Sequence, residues 1–315
     1  MRYDGLSVLL GAASYGVLST ITVHAYNEGY SMPQVIGTQL MLGVCLCWGW
    51  AWLLRTIRAW RASRVKGRKA QPTSSSLTWK QRGILLLCGL PSTCTSLAYG
   101  EALHHVSASL AIILLFQFTW IGVLIESVMR RRRPGVSVFL TLAVLLGGTA
   151  LAAGLLEKGV DEFSRFGIML GLLSAVTYSL FILVSGKAVV TAEPAERTAW
   201  MITGSMLGVL ILHPPVYLFN GTMTGELLLF GLALGLFGSF IPPALFAIGV
   251  PRISNGLAGI LGSVELPVTV SMSAVALHES ISLLQWGGVA LVLIGVAIPE
   301  LSRRLSSGHR NSLSA

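Results

Sequence analysis

Apolar residues in this chain fall in runs near twenty residues long, separated by short polar or charged stretches. Runs near 6–24, 33–54, 83–101, 107–128, 136–155, 166–186, 199–218, 227–249, 254–276 and 282–300 each have the length a helix needs to cross a bilayer. A bilayer interior offers no water to backbone N–H and C=O groups, so the pattern predicts ten transmembrane helices. The first run has no small-residue cleavage site ahead of polar sequence, so it reads as a span and not as a secretory signal.

A second pattern lies over the first. Residues Val106 to Leu151 align with Ile253 to Ile298 without a gap, at a constant shift of 147. Ser107, Leu110, Ala111, Ile113 and Leu114 fall on Ser254, Leu257, Ala258, Ile260 and Leu261, and Ala143, Leu146 and Gly148 fall on Ala290, Leu293 and Gly295. Five helices between equivalent points turn the second copy upside down relative to the first. Inverted repeats of this kind let secondary transporters exchange inward-open and outward-open shapes. The expected fold is therefore all-α: a polytopic membrane protein of ten helices in two inverted five-helix repeats. Residues 1–156 form the first, 157–301 the second, and 302–315 a cytoplasmic tail.

Composition agrees with a membrane class. Apolar residues are 53% and charged residues 11% of the 315, against about 25% charged in ordinary globular proteins. The net charge of +9 suggests nucleic acid until its placement is read. Nine cations fall between Arg55 and Arg82, four more run from Arg130 to Arg133, and Lys187, Arg197, Arg252, Arg303, Arg304 and Arg310 follow later even-numbered spans. The other side keeps only Lys158 and Arg165. This positive-inside bias predicts an even span count with both termini in the cytoplasm, and no nucleic-acid partner. The basic linker 55–82 is expected to be a solvated segment touching anionic lipid headgroups. Its stretch from Gln71 to Ser76 reads as mobile, and Ser306 to Ala315 as a short disordered tail. Cys45, Cys47, Cys88 and Cys94 read as small core residues, without the paired spacing of a metal site.

Helices in lipid associate through small residues, and Gly167/Gly171, Gly204/Gly208 and Gly231/Gly235 are spaced as packing seams. No glycine-rich turn follows a strand, so neither a nucleotide site nor a cofactor is expected. Pro91, Pro214, Pro242, Pro243 and Pro267 are expected to bend spans three, seven, eight and nine. Spans three and eight are equivalent under the repeat: Leu97-Ala98-Tyr99 stands opposite Ala244-Leu245-Phe246, and Ser92 opposite Ser239.

The run from Ala98 through Tyr99-Gly100-Glu101 to Ala111 resembles the third-to-fourth helix junction of the EamA-type drug/metabolite transporter superfamily. The stretch from Ile253 to Pro267 is similar to the corresponding junction of the second half. His278-Glu279-Ser280, with Trp286-Gly287-Gly288 and Leu293-Ile294-Gly295, resembles the family's closing helix pair. The resemblance implies a basket-like ten-helix fold with a central substrate cavity, in proteins that export amino acids, metabolites or drugs across the bacterial inner membrane. Where the family often has Trp-Gly in the first and sixth helices, this chain has Tyr15-Gly16 and Tyr178-Ser179. Gln39 stands near a frequent arginine of the second helix, and the usual Glu-Pro of the ninth is spread over Glu265-Leu266-Pro267.

Glu265 is the foremost candidate side chain, near the centre of span nine beside a proline. An ionised carboxylate at the bilayer centre costs at least a few kcal/mol, so it is expected to face the interior and to exchange a proton or bind a substrate amine. The competing account is a neutral carboxyl bonded to a neighbouring helix. Gln117 lies at nearly the same depth in span four and suits a polar ligand or a helix–helix contact. Tyr15, Tyr178, Tyr99 and Trp120 supply rings for a substrate-binding wall or for packing, and Gln39 completes the substrate-binding candidates. His24, His104, His105, His213 and His278 lie at external span ends without helix-spaced pairing, so no metal site is expected. Glu101 and Glu279 are external and read as solvated or as guides at a cavity mouth. Glu126 has Arg130 one turn on as an ion partner.

The leading expectation is a proton-coupled secondary exporter of a small metabolite, amino-acid-like compound or drug, in a bacterial plasma membrane. The alternatives are an uptake or exchange carrier for a small polar solute and, further off, an intramembrane enzyme. The enzyme reading lacks HExxH, GxSxG and an intramembrane aspartate pair, since Asp4 and Asp161 are the only aspartates. A passive channel lacks a ring of like charges. Association as a homodimer stays open.

Overall fold

The computed structural model describes residues 2–64, 77–129, 131, 136–152, 164–219, 221–253 and 255–312, and the regular structure among them is helical. In chain order the helices are Arg2–Tyr15 (α1), Leu18–Asn27 (α2), Met32–Arg64 (α3), Trp79–Cys88 (α4), Leu90–His105 (α5), Ala108–Leu115 (α6), Phe118–Met129 (α7) and Val136–Ala152 (α8). They continue as Arg165–Ser185 (α9), Pro194–Leu212 (α10), Glu226–Leu234 (α11), Ile241–Gly249 (α12), Asn255–Gly262 (α13), Glu265–Ala276 (α14) and Leu283–Ser312 (α15). Six helical stretches among the described residues are long and apolar enough to cross a membrane, and Leu142–Ala152, Ile260–Ala276 and Leu283–Ala297 are shorter apolar helices. The chain is a polytopic helical membrane protein.

Four apolar stretches are interrupted, two of them at glycines, Gly16 and Gly89, that lie against the backbone of another helix. The first breaks at Gly16–Val17, the third at Gly89, the fourth at Phe116–Gln117 and the ninth at Ser263–Val264. In the eighth, a π-helical segment, Gly235–Phe240, joins α11 to α12. The prolines do not mark the breaks themselves. Pro91 and Pro242 lie in the first turn of the helix after the interruption, where a missing N–H costs nothing. Pro267 likewise follows its break, in the first turn of α14. Pro214 corrects the expected bend in span seven: α10 ends at Leu212, and the proline opens the loop beyond.

Two more expectations are corrected. The basic linker begins as helix and not as loop: α3 continues past the expected end of span two to Arg64, with residues 55–60 exposed. Its extension reaches α10, where Arg55 pairs with Glu196 at 2.6 Å and Arg58 pairs with Glu193. At the other end of the chain α15 runs to Ser312, through most of the expected disordered tail. Residues 65–76, Lys158, Arg130, Arg132, Arg133 and the 156/157 boundary lie outside the described residues, so the Glu126–Arg130 pair does too.

Helix starts recur at a fixed interval. α4, α6, α7 and α8 begin at residues 79, 108, 118 and 136, and α11, α13, α14 and α15 begin at 226, 255, 265 and 283, each 147 later. Packing recurs as well. α1 lies on α12, α13 and α14, and α9 lies on α5, α6 and α7; α3 packs on α10, and α8 on α15. Exchanging each element with its counterpart maps the first set onto the second and returns the last two pairs to themselves. The apolar centre of this arrangement joins Ile113, Leu145, Leu266, Val270 and Val292, all essentially without solvent exposure.

Candidate functional site: a cavity at the helix breaks

The broken helices surround a cavity of about 440 Å³, within the range that holds small-molecule ligands. Its walls come from the same helix faces in both parts of the chain. α1 and α2 contribute Tyr15, Leu18 and Thr22, and α9 contributes Tyr178, Phe181 and Ser185, each 163 positions later. α5 contributes Ser92, Ser96 and Tyr99, answered 147 positions later by Ser239, Pro243 and Phe246. α3 gives Ile36, Gln39 and Leu40; α10 gives Thr198, Met201 and Ile202, each 162 later. Spacings of three and four residues put the members of each set on one side of their helix.

At the heart of the site the two sides differ. Gly16 follows Tyr15, and a Cβ there would lie 2.7 Å from Val268 and 2.9 Å from the Glu265 carbonyl oxygen. At the related place Ser179 follows Tyr178, and its hydroxyl donates to the Phe118 carbonyl at 3.0 Å. Glu265 and Phe118 each open a helix after a break. Phe118 meets the Tyr178 ring edge-on at 4.8 Å between centroids. Glu265 instead brings a carboxylate to the cavity wall, within electrostatic range of Tyr15, Tyr99 and Tyr178. Among the described residues nothing hydrogen-bonds or ion-pairs that carboxylate; its backbone carbonyl accepts from Thr269 Oγ1 at 3.0 Å.

Five of the seven substrate-binding candidates therefore meet in one place: Tyr15, Gln39, Tyr99, Tyr178 and Glu265. Gln117 and Trp120 do not. Gln117 is 1% exposed; its Nε2 donates to the Ile113 carbonyl at 2.9 Å and to Thr149 Oγ1 at 2.6 Å, and its Oε1 accepts from Trp120 Nε1 at 2.8 Å. Gln117 satisfies backbone and hydroxyl groups where α6 breaks beside α8, and Trp120 spends its N–H on it. Residue depth along a helix placed Gln117 beside Glu265; the break turns it away from the cavity.

Sequence reading missed Arg197, Ser205, Thr95 and Ser96, all in the wall. Arg197 sits in the first turn of α10, where the helix dipole disfavours a cation, and that misplacement was the signal available. Its Nη2 donates to the Ser185 carbonyl at 2.6 Å. Glu279 is also not merely solvated: its carboxylate accepts from Ala108 N at 2.9 Å and Ser109 Oγ at 2.6 Å, capping α6. His104 stacks on Tyr26 at 4.0 Å, and His105 lies 3.4 Å from Glu101. Cys47 and Cys88 are buried, while Cys45 and Cys94 are exposed, against the expectation of four core thiols.

Residues 165–299 match the EamA-like transporter family. The second part of the chain is thus similar to an EamA-like transporter domain. An uncharacterized transporter of Synechocystis sp. is 22% identical over 247 residues, covering 77% of this chain and 73% of the relative. The uncharacterized inner membrane transporter YicL of Salmonella typhimurium is 24% identical over 224 residues, covering 70% of this chain and 73% of its own. A crystal structure superposes with a TM-score of 0.59 at 18% identity, over 95% of this chain and 98% of that one, and shows the shared fold. The protein is thus a membrane transporter with an EamA-like stretch over residues 165–299.

Proposed function

We propose that this EamA-type protein is a proton-coupled secondary exporter of a small polar metabolite, amino-acid-like compound or drug. It works by alternating access between two inverted five-helix repeats in a bacterial inner membrane, with both termini cytoplasmic. The single observation that carries this reading is Glu265, a carboxylate in the cavity wall with no hydrogen-bond or ion partner among the described residues. A charge there is costly while the cavity is dry and the cost falls when a proton or a substrate amine arrives, so proton and substrate compete for one group. Competition of that kind couples two fluxes: the substrate leaves when the proton enters. The recurring helix starts and the self-mapping packing support two equivalent halves, and the five spans expected from the sequence between equivalent points would invert one relative to the other.

Proteoliposomes test the reading. Substrate is first found by comparing metabolites released from cells with and without the protein, and its flux is then followed under an imposed pH gradient. Wild-type flux is expected to follow the gradient, and Glu265→Gln to bind substrate, remain folded and lose gradient-driven flux. Undiminished gradient-driven flux in Glu265→Gln would falsify the coupling role.

A further inference from the structure

Two formal charges stand in the cavity wall among the described residues, Glu265 and Arg197. They stand at different levels of it. Glu265 acts electrostatically on Tyr178 of α9, which shares the wall. Arg197 instead reaches Ser185, the last residue of that same helix, and donates from Nη2 to its carbonyl at 2.6 Å. From Tyr178 to Ser185 the helix α9 is unbroken, and this length of helix rises about 10 Å. The cavity is therefore bipolar, with its carboxylate and its guanidinium roughly two helical turns apart.

Both residues are only partly buried and both line open space, so a solute can reach them. A guanidinium is rich in N–H donors, of which the Ser185 carbonyl takes one. The acids on the helix of Arg197 are already engaged, Glu193 by Arg58 and Glu196 by Arg55, both of α3. Between the two poles the wall is apolar. The α9 stripe presents Phe181, stacked on Tyr178 at 6.3 Å between centroids, and α10 adds Met201 and Ile202 one turn on from Arg197.

We propose that the cavity selects a dipolar solute, with a cationic amine held at Glu265 and an oxyanion, carboxylate or phosphate, held at Arg197. The inference rests on the reading of Glu265 given above. Each charged hydrogen bond takes up about 3 Å, so at least about 4 Å remain between the solute's own charges along the helix axis. An α-amino acid carries both charges on one carbon and falls short of that gap. A solute with its amine and its oxyanion at opposite ends of a short carbon chain spans it, and the chain then lies against Phe181, Met201 and Ile202. Arg197 thus sets both the charge and the length of what the cavity holds.

Isothermal titration of the full-length protein in detergent compares probes of equal carbon number: 6-aminohexanoate, its isomer 2-aminohexanoate, hexylamine and hexanoate. Wild type is expected to bind 6-aminohexanoate about tenfold tighter than the isomer, which has the same atoms and charges but cannot reach both poles. Arg197→Gln should weaken 6-aminohexanoate by about tenfold, as expected for losing a charged hydrogen bond, and Arg197→Lys by less. Hexylamine offers Arg197 nothing to hold, so its affinity should fall in Glu265→Gln and not in Arg197→Gln. A guanidinium that only tied α10 to α9 would weaken both probes alike. Lys187→Gln removes an exposed cation just beyond Ser185 and should bind every probe like wild type. Tighter binding of 6-aminohexyl phosphate than of 6-aminohexanoate assigns the Arg197 end to phosphate, and weaker binding assigns it to carboxylate. Equal affinity for the two isomers, absence of binding by both, or an equal loss of hexylamine and 6-aminohexanoate in Arg197→Gln overturns the dipolar site. Amine affinity unaltered by Glu265→Gln removes instead the reading of Glu265 on which the site rests.

Discussion

Gly148 of α8 lies so close to Val292 of α15 that a Cβ on the glycine would sit 2.9 Å from a valine methyl. The reciprocal contact is present too: a Cβ on Gly295 would sit 2.9 Å from Leu145. Each residue of the first contact is 147 positions from its partner in the second, Gly148 from Gly295 and Leu145 from Val292. Gly288 closes the same seam against Ala152 and the Gly148 carbonyl. Where lipid gives helices no hydrophobic drive to associate, close backbone approach of this kind holds two elements together.

Because the contact is reciprocal, Gly148→Val and Gly295→Val are expected to destabilise the detergent-solubilised protein to a similar extent, about 1–3 kcal/mol as for overpacked interiors. Gly147→Val, at an open position with nothing near its Cβ, should change little. Thermal unfolding in one detergent checks all three; a large inequality between the two seam glycines means that the contacts are not equivalent.

Gln117 should behave as a structural residue. Gln117→Leu removes three hydrogen bonds and leaves Trp120 Nε1 and Thr149 without their partner. The expected loss is about 1–3 kcal/mol of stability, with substrate KM unchanged at a temperature where the variant is folded. A raised KM with unaltered melting would restore Gln117 to the binding site.

Much of this fold is legible in the sequence because lipid imposes one rule on every span: satisfy the backbone internally. Apolar run length places the helices, and the 147-residue recurrence places their counterparts. The breaks at Gly16–Val17 and Phe116–Gln117 were not legible, since no proline marks either, and they decide which side chains face the cavity. Glu265 announces itself as a lone charge in an apolar run, and the two tyrosines by their matching positions. Arg197 was hidden among cytoplasmic cations because charge counting assigns a side and not a direction. The extension of α3 was hidden for a related reason: its arginines mark an interface, while their partners Glu193 and Glu196 lie far along the chain.

Those ion pairs give a third prediction. Glu196 is 6% exposed, so removing Arg55 leaves a nearly buried carboxylate without its counter-ion, whereas Arg55 itself is half in water. Arg55→Gln combined with Arg58→Gln is expected to destabilise the α3–α10 contact by about 1–3 kcal/mol, reduced from the fully buried case by the exposure of the arginines. Exchanging the charges, with Arg55→Glu and Arg58→Glu joined to Glu193→Arg and Glu196→Arg, should recover at least part of the loss. Failure of the exchange to recover stability beyond the sum of its parts means that the pairs are uncoupled.

The last prediction concerns the tyrosines. The Tyr178 ring is held edge-on by Phe118 at 4.8 Å and stacked with Phe181 at 6.3 Å, while its hydroxyl has no hydrogen-bond partner among the described residues and lies in the cavity wall. Tyr15, held by Phe246 at 6.1 Å, is placed in the same way. Packing therefore fixes both rings and leaves both hydroxyls for something else. Tyr178→Phe should keep the ring where it is and melt like wild type, yet raise substrate KM by roughly three- to tenfold, the worth of one neutral hydrogen bond, with kcat little changed. Tyr178→Ala should lower melting as well, by emptying the space against Phe118. If Tyr178→Phe and Tyr15→Phe both transport with wild-type KM, the hydroxyls do not touch substrate, and the rings serve only to shape the space around Glu265.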